Sequence, residues 1–412
     1  MSKEHVIIIG AGPAGMISAM KCAENSTFEK KITILEHKSK PAAKLLATGN
    51  GRCNFSNDVL DEESYRGNNP SFAYEIVNRI TTKEILDFME TIGIISCDIN
   101  GYYYPRSMQA STVADCLLSR LNALGVVIHC DTHVIAIKKE DKGYIVKTDS
   151  NNYYADKVIV AAGGKSYNKL GSDGSGFEIL KELGHSIIKP LPGLISLIAK
   201  GIDFKLCQGV RAKGTVSLLA DNELITSAFG EIQYTDYGIS GIPVFQVSRY
   251  ASKALDNKKK VTAIIDSLPE YNYNELLELL KSIGNDNPHK KIVELLNGFI
   301  PLKLSLTILK NCGVDSNTKV NKLESADYMN ICSGLKKQSL IITSSSGFDK
   351  AQVTAGGVST NEVNPNTMES VLHKGLYVVG ELLDIDGNCG GYNIHFAIAT
   401  GMIAGMSASE ER

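Results

Sequence analysis

Three glycines spaced Gly10-x-Gly12-x-x-Gly15, directly after the apolar run Val6 to Ile9, are the residues of this chain with the most specific chemical meaning. In a strand-turn-helix, Gly10 makes the turn, Gly12 lets a phosphate approach the bare backbone, and Gly15 lets the helix pack closely on the strand. Pro13 and Ala14 complete the hexapeptide and open a stretch with helical spacing. The helix N-terminus then offers N–H groups and a positive dipole end to a pyrophosphate. Glu36 closes the next apolar run, KITILE, where a carboxylate can accept from ribose hydroxyls, and His37 follows it. The expectation is a dinucleotide site.

The elements needed to position it are legible as a βαβ unit over the first 36 residues. From Val126 to Val160 we read three short strands (VVIHC, HVIAIKK, YIVKTD) as a meander that leads into a buried strand at Lys157 to Ala162. That strand stops at Gly163-Gly164. The following Lys165-Ser166 invites a triphosphate-loop reading, but the first glycine of that motif would fall at Ile159, so the reading fails. Gly375 to Val379 predicts one more short buried strand, followed by a glycine-rich loop and a final helix. Such a late return to the nucleotide domain favours a long cofactor, FAD, over NAD alone.

The fold class expected is α/β, with a two-part Rossmann-type FAD-binding domain, an inserted β-barrel-like domain and a small helical subdomain. The boundaries are 1–190 for the first FAD part, 191–270 for the β-rich insert and 271–336 for the helical subdomain. Residues 337–355 return to the insert, and 356–412 form the second FAD part. A net charge of -2 gives no global drive toward nucleic acid or anionic lipid, so the expected partner is a small molecule, with the protein a monomer or homodimer. The nine cysteines form no C-x-x-C pair, which fits reduced thiols in the cytoplasm and no metal site. No run is apolar and long enough for a membrane span.

Four ordered segments, LLATGNGRCNFSN (45–57), VIVAAGGKSY (158–167), TAGGVSTNEVNPNTMES (354–370) and GLYVVGELLDIDGNCGGYNIHFAIATG (375–401), resemble the HI0933-like flavoproteins over nearly the whole chain. That family includes BaiN-type NAD(P)/FAD-dependent reductases and aminoacetone-oxidase-like enzymes. The resemblance implies that Lys44, Leu45, Thr48, Gly49, Asn50, Gly51, Arg52, Cys53 and Asn54 lie along the flavin. It also implies that Ala162, Gly163 and Gly164 pass near the ADP half, with Val134 offering backbone to the adenine. In the last segment Gly380, Glu381 and Asp386 would hold the ribityl or phosphate region. Asn388, Gly390, Gly391, Tyr392 and Asn393 would line the flavin edge, toward which the final helix points its N-terminus.

Proton chemistry is assigned to Tyr392, His395 and Arg52, with the Tyr102-Tyr103-Tyr104 run and Arg106 as further candidates. The function expected is NAD(P)H-linked reduction of a small organic substrate, enone-like or bile-acid-like. Three rivals are open: an oxidase of amines or aminoketones that yields hydrogen peroxide, an FAD protein that modifies RNA, and a redox-silent flavin scaffold.

Overall fold

Runs of four to six mostly apolar, β-branched residues form the central sheet because both of its faces are covered. The computed structural model describes residues 3–26 and 29–411. The central sheet and the two helices that cross beside it comprise β1 (Glu4–Ile9), α1 (Pro13–Asn25), β2 (Lys30–Leu35), β3 (Val127–His129), β4 (Lys157–Val160), β5 (Leu376–Val378) and α2 (Tyr392–Ser409). The parallel order is β5-β4-β1-β2-β3, so strands from both ends of the chain join one sheet.

One expectation is corrected here. The segment VVIHC is not part of the meander: Val127 to His129 pair in parallel with Thr33 to Leu35 at the sheet edge. The helix Ala110–Ala123 precedes it and supplies the crossover that a parallel partner requires. The antiparallel trio is instead Val134–Glu140, Gly143–Thr148 and Asn152–Ala155.

The described chain divides into two compact units, 1–191 with 352–412, and 192–351. In the first, α1 and α2 cross at small residues. A Cβ on Gly401 would come within 2.6 Å of the Ala14 carbonyl oxygen, and one on Gly405 would overlap that of Ser18. The i, i+4 spacing on both helices lets the two backbones approach along one stripe. At the far end of α2 the buried Lys157 Nζ donates to the Ala408 carbonyl at 3.0 Å and pairs with Glu4 at 3.2 Å. Orphan carbonyls of the helix end are thereby satisfied.

The second unit is a closed barrel of strands Leu197–Lys200, Gly238–Ser240, Glu223–Tyr234, Arg211–Ala220, Val261–Asp266 and Gln338–Ser345, in that spatial order. Within the insert expected to be β-rich lies a helix, Ile242–Asp256, with Pro243 in its first turn. Val244, Val247, Ala251 and Ala254 turn one face of it to the core. The helices Tyr273–Asp286, Leu302–Asn311 and Ser325–Lys336 share that same core with the barrel strands. No helix among the described residues is long and apolar enough to cross a membrane.

Candidate flavin site

The glycine turn has the geometry its spacing implies. Gly10 has φ +99°, and a Cβ there would lie 2.5 Å from the Ala161 carbonyl oxygen. A Cβ on Gly15 would overlap the Gly10 carbonyl, whereas one on Gly12 meets nothing within 4 Å. Gly10 and Gly15 are thus packing requirements, and Gly12 stands over open space beside the start of α1. Pro13 begins that helix, and no acidic residue occupies its first turn. Its N–H groups are left to an anion.

Glu36 is 8% exposed and accepts from two backbone donors, Ala11 N–H on Oε2 and Lys38 N–H on Oε1, each at 2.8 Å. A carboxylate has roughly four acceptor positions, so room remains for a ribose hydroxyl. His37 Nδ1 stands 3.6 Å from the same carboxylate, and its ring faces His133 with centroids 5.7 Å apart. Val134 is buried and pairs with Thr148.

A second cluster joins three distant segments. Lys44 Nζ contacts Glu381 Oε2 at 2.5 Å and donates to Ser166 Oγ at 2.7 Å. Ser166 Oγ donates to Glu381 Oε1 at 2.7 Å, and that oxygen also accepts from the Thr354 N–H at 2.9 Å. Thr354 Oγ1 in turn accepts from the Lys165 N–H at 2.7 Å, against the bare α-carbon of Gly164. Ser166 and Thr354 were missed as site residues from sequence, although both sit inside the segments that carry the family resemblance. Nearby, Gly163 has φ +73°, Ala162 is half-buried, and the Gly380 N–H donates to Thr400 Oγ1 at 3.0 Å.

The loop from Thr48 to Asn54 is held in an unusual backbone. Gly49, Asn50, Gly51 and Cys53 all have positive φ, which for Asn50 and Cys53 costs on the order of 1 kcal/mol each. Leu45 is buried beneath it and accepts from Thr48 Oγ1 at 2.6 Å through its carbonyl. Arg52 stands exposed and makes no ion pair among the described residues. Cys53 is fully buried, and burial pushes its thiol up to about 12, so it is no thiolate at neutral pH. Burial raises Cys389 as well.

Next to this loop lies the start of α2. Gly391 caps it with φ +95°, and a Cβ there would sit 2.6 Å from Asn54 Oδ1. That oxygen is buried without a hydrogen-bond partner among the described residues, as is Asn388 Oδ1. Unpaired buried acceptors call for a donor from outside the chain. A flavin ring, which carries both donor and acceptor edges, fits this place. The α2 first turn also lacks acidic residues. Asn393 does not face outward: its amide clamps Gly387, accepting from the N–H at 2.8 Å and donating to the carbonyl at 3.0 Å. The buried Asp386 stands opposite Arg66, and Gly387 opposite Tyr65, in a short antiparallel ribbon.

His395 is corrected as a proton donor. It is fully buried, with Nδ1 2.8 Å from Ser56 Oγ and Nε2 2.9 Å from the Ile80 carbonyl. The carbonyl can only accept, so Nε2 carries the hydrogen and Nδ1 takes the serine proton. Burial holds the ring down to about 4, neutral and fully engaged. Tyr392 is 9% exposed, edge-on to Tyr65, among Ser64, Tyr102, Asp61 and Arg66.

The description "HI0933-like protein Rossmann domain" matches residues 4–407. The chain belongs to the HI0933-like family. Over 98% of both chains it is 38% identical to the 3-dehydro-bile acid delta(4,6)-reductase of Clostridium scindens. It is also 26% identical to the ribosomal RNA dihydrouridine synthases of Escherichia coli, over 96% of both chains, and Haemophilus influenzae, over 98% of both. With its Rossmann-type FAD-binding fold, this HI0933-like protein is an FAD-dependent oxidoreductase.

Proposed function

We propose that this protein is an NAD(P)H-linked reductase that saturates a carbon–carbon double bond conjugated to a ketone on a fused-ring, steroid-like skeleton. The observation that carries the reading is the meeting of three features at one place. They are the N-terminus of α2, the unpartnered Asn54 Oδ1, and an Arg52 with no ion pair among the described residues. Together they supply acceptor, dipole and positive charge where a reduced, anionic ring would need them. Bound FAD would supply hydride transfer; the chain supplies orientation and a proton. The full-length relative that reduces a 3-dehydro-bile acid supports the substrate class.

No second G-x-G-x-x-G is present, so the nicotinamide donor is read as binding transiently, without a Rossmann domain of its own. The test is anaerobic. Purified flavoprotein is mixed with NADH or NADPH, the visible flavin band is followed, and a fused-ring enone is then added. The expected result is bleaching, then recovery of colour with one saturated product per turnover. No bleaching with either donor overturns the NAD(P)H link, and peroxide formed stoichiometrically from an amine selects the oxidase.

A second reading, reduction of uridine in ribosomal RNA, has two full-length relatives in its favour. The lower identity and near-zero net charge place it second. Mass analysis of ribosomal RNA incubated with the reduced enzyme, seeking a two-hydrogen gain, tests it directly.

A further inference from the structure

The tyrosine run Tyr102-Tyr103-Tyr104 lies on the strand Tyr102–Pro105, which pairs antiparallel with Ser56–Asn57 on one side and Ser96–Ile99 on the other. Ser56 and Asn57 directly continue the Thr48 to Asn54 loop, so this small sheet is built onto the flavin-side segment. Alternation along a strand sends Tyr102 and Tyr104 to one face and Tyr103 to the other. Tyr103 is accounted for: its hydroxyl donates to Asp58 Oδ1 at 2.5 Å.

The opposite face is different. The Tyr102 ring covers the α-carbon of Gly390 so closely that a Cβ there would overlap it, and Asn57 Nδ2 donates to the Gly390 carbonyl at 2.9 Å. Tyr104 is half-buried, within electrostatic reach of Arg52 and Cys389. Its hydroxyl makes no hydrogen bond among the described residues, and Arg52 makes no ion pair among them. A half-buried phenol on the face that covers Gly390, within electrostatic reach of a guanidinium with no ion pair among the described residues, is an arrangement that lacks its third member, an oxygen atom with negative character. Burial keeps Tyr104 protonated above the usual phenol range, while Arg52 eases the opposite, ionised form. A donor that can give up its proton and have the resulting charge offset locally is what enolate chemistry requires.

We propose that Tyr104 is the proton donor of the reaction, and that Arg52 holds the charge that develops on the substrate oxygen and then on the phenol. The proposal rests on the reductase reading above. Bound FAD, once reduced by the nicotinamide, would supply the hydride that forms a C–H bond at the β-carbon, and the π pair would pass to the carbonyl oxygen as an enolate. The Tyr104 proton then passes to that oxygen, giving an enol that tautomerises to the saturated ketone, and solvent returns a proton to the phenolate. The nicotinamide is oxidised by two electrons and the enone reduced by two.

The experiment compares holoenzyme carrying Tyr104→Phe with the parent and with Tyr103→Phe. Tyr104→Phe keeps the ring, so the parent flavin content and melting temperature are expected. Bleaching by the nicotinamide donor should stay within about twofold, while reoxidation by a fused-ring enone slows on the order of 100-fold or more. Tyr103→Phe should reoxidise at the parental rate. A second readout is independent of turnover. Equilibrium dialysis of the saturated ketone product against oxidised protein should show affinity about fivefold to tenfold weaker for Tyr104→Phe. Reoxidation of Tyr104→Phe at the parental rate overturns the proton-donor role, and equal ketone affinities overturn the contact. A parent that binds the ketone through Tyr104 yet reduces no enone sinks the reductase reading alone. Arg52→Gln should weaken ketone binding in the same direction, and an unchanged affinity counts against the shared oxygen site.

Discussion

The Ala11 N–H donates to Glu36 Oε2 at 2.8 Å, so one carboxylate fastens the glycine turn to the end of the second strand. This carboxylate also takes the Lys38 N–H and is almost fully buried. It therefore shapes the turn before any ligand arrives.

Glu36→Gln replaces one charged acceptor oxygen by an NH2 group that faces a backbone donor. Hydrogen bonds to charged groups contribute about 1.5–3 kcal/mol, so loss of one should lower unfolding free energy by roughly that amount. FAD affinity should fall by about tenfold or more, because the turn relaxes. Denaturant unfolding of the apoprotein and a fluorescence titration with FAD measure the two effects separately. An unchanged apoprotein stability would show that the turn holds itself.

Gly401→Ala tests the helix crossing. The added methyl would sit 2.6 Å from the Ala14 carbonyl, a backbone atom that cannot move without shifting α1. Overpacking of this kind costs about 1–3 kcal/mol. Because α1 would start at the pyrophosphate and α2 at the flavin edge of the proposed site, flavin retention should drop together with the melting temperature. The same change at Gly12, where a Cβ meets nothing, should leave apoprotein stability near the parent and weaken only FAD binding.

Acid sensitivity should come from His395 and His185. Both are held below the ordinary histidine value of 6.5, His395 to about 4, with burial the largest cause in each. His185 sits between Glu362 Oε2 and Ser370 Oγ, each 3.0 Å away, with His373 beside it. Between pH 6.5 and 4 the unfolded chain binds protons that the folded chain refuses, so stability is full above 6.5 and is lost as pH falls through that window. For His395 alone the loss approaches about 3 kcal/mol. Glu362 and Asp173 are depressed below their ordinary carboxylate values, and their share is lost at still lower pH. Urea unfolding at pH 7.5, 6 and 5 should show a falling midpoint, shallower in His395→Gln. A flat profile would contradict this.

Lys157→Met removes the cation that pairs with Glu4 and bonds the Ala408 carbonyl. Glu4 keeps Lys30 as a partner, so the loss should stay below the roughly 3–5 kcal/mol of a buried pair broken outright. Hydrogen exchange in the last turn of α2 should quicken far more than in its first turn.

Much of the nucleotide half was legible because its signals are local. Val6 to Ile9 and Lys157 to Val160 read as buried strands from β-branched runs, and the glycine spacing gave the turn. The misplaced segment Val127 to His129 is only three residues long, and its partner, Thr33 to Leu35, lies over ninety residues away, beyond any periodicity. The helix Ile242–Asp256 was hidden behind Gly238 and Gly241, although Val244, Val247 and Ala251 keep helical spacing. In the site, Ser166 and Thr354 were invisible because a hydroxyl has no signature until its partners are placed. His395 misled for the opposite reason: a lone imidazole beside a glycine-rich loop looks chemical, and only its two buried partners show otherwise.

The edge strand Leu376–Val378 and the helix after it are made more than 350 residues later than the Gly10 turn they complete. A ribosome delivers the chain in that order, so the nascent protein carries half a cradle for most of its synthesis. Flavin loading is then a late event in biogenesis, and a shortage of the vitamin should show as a pool of finished, empty chains rather than as stalled ones.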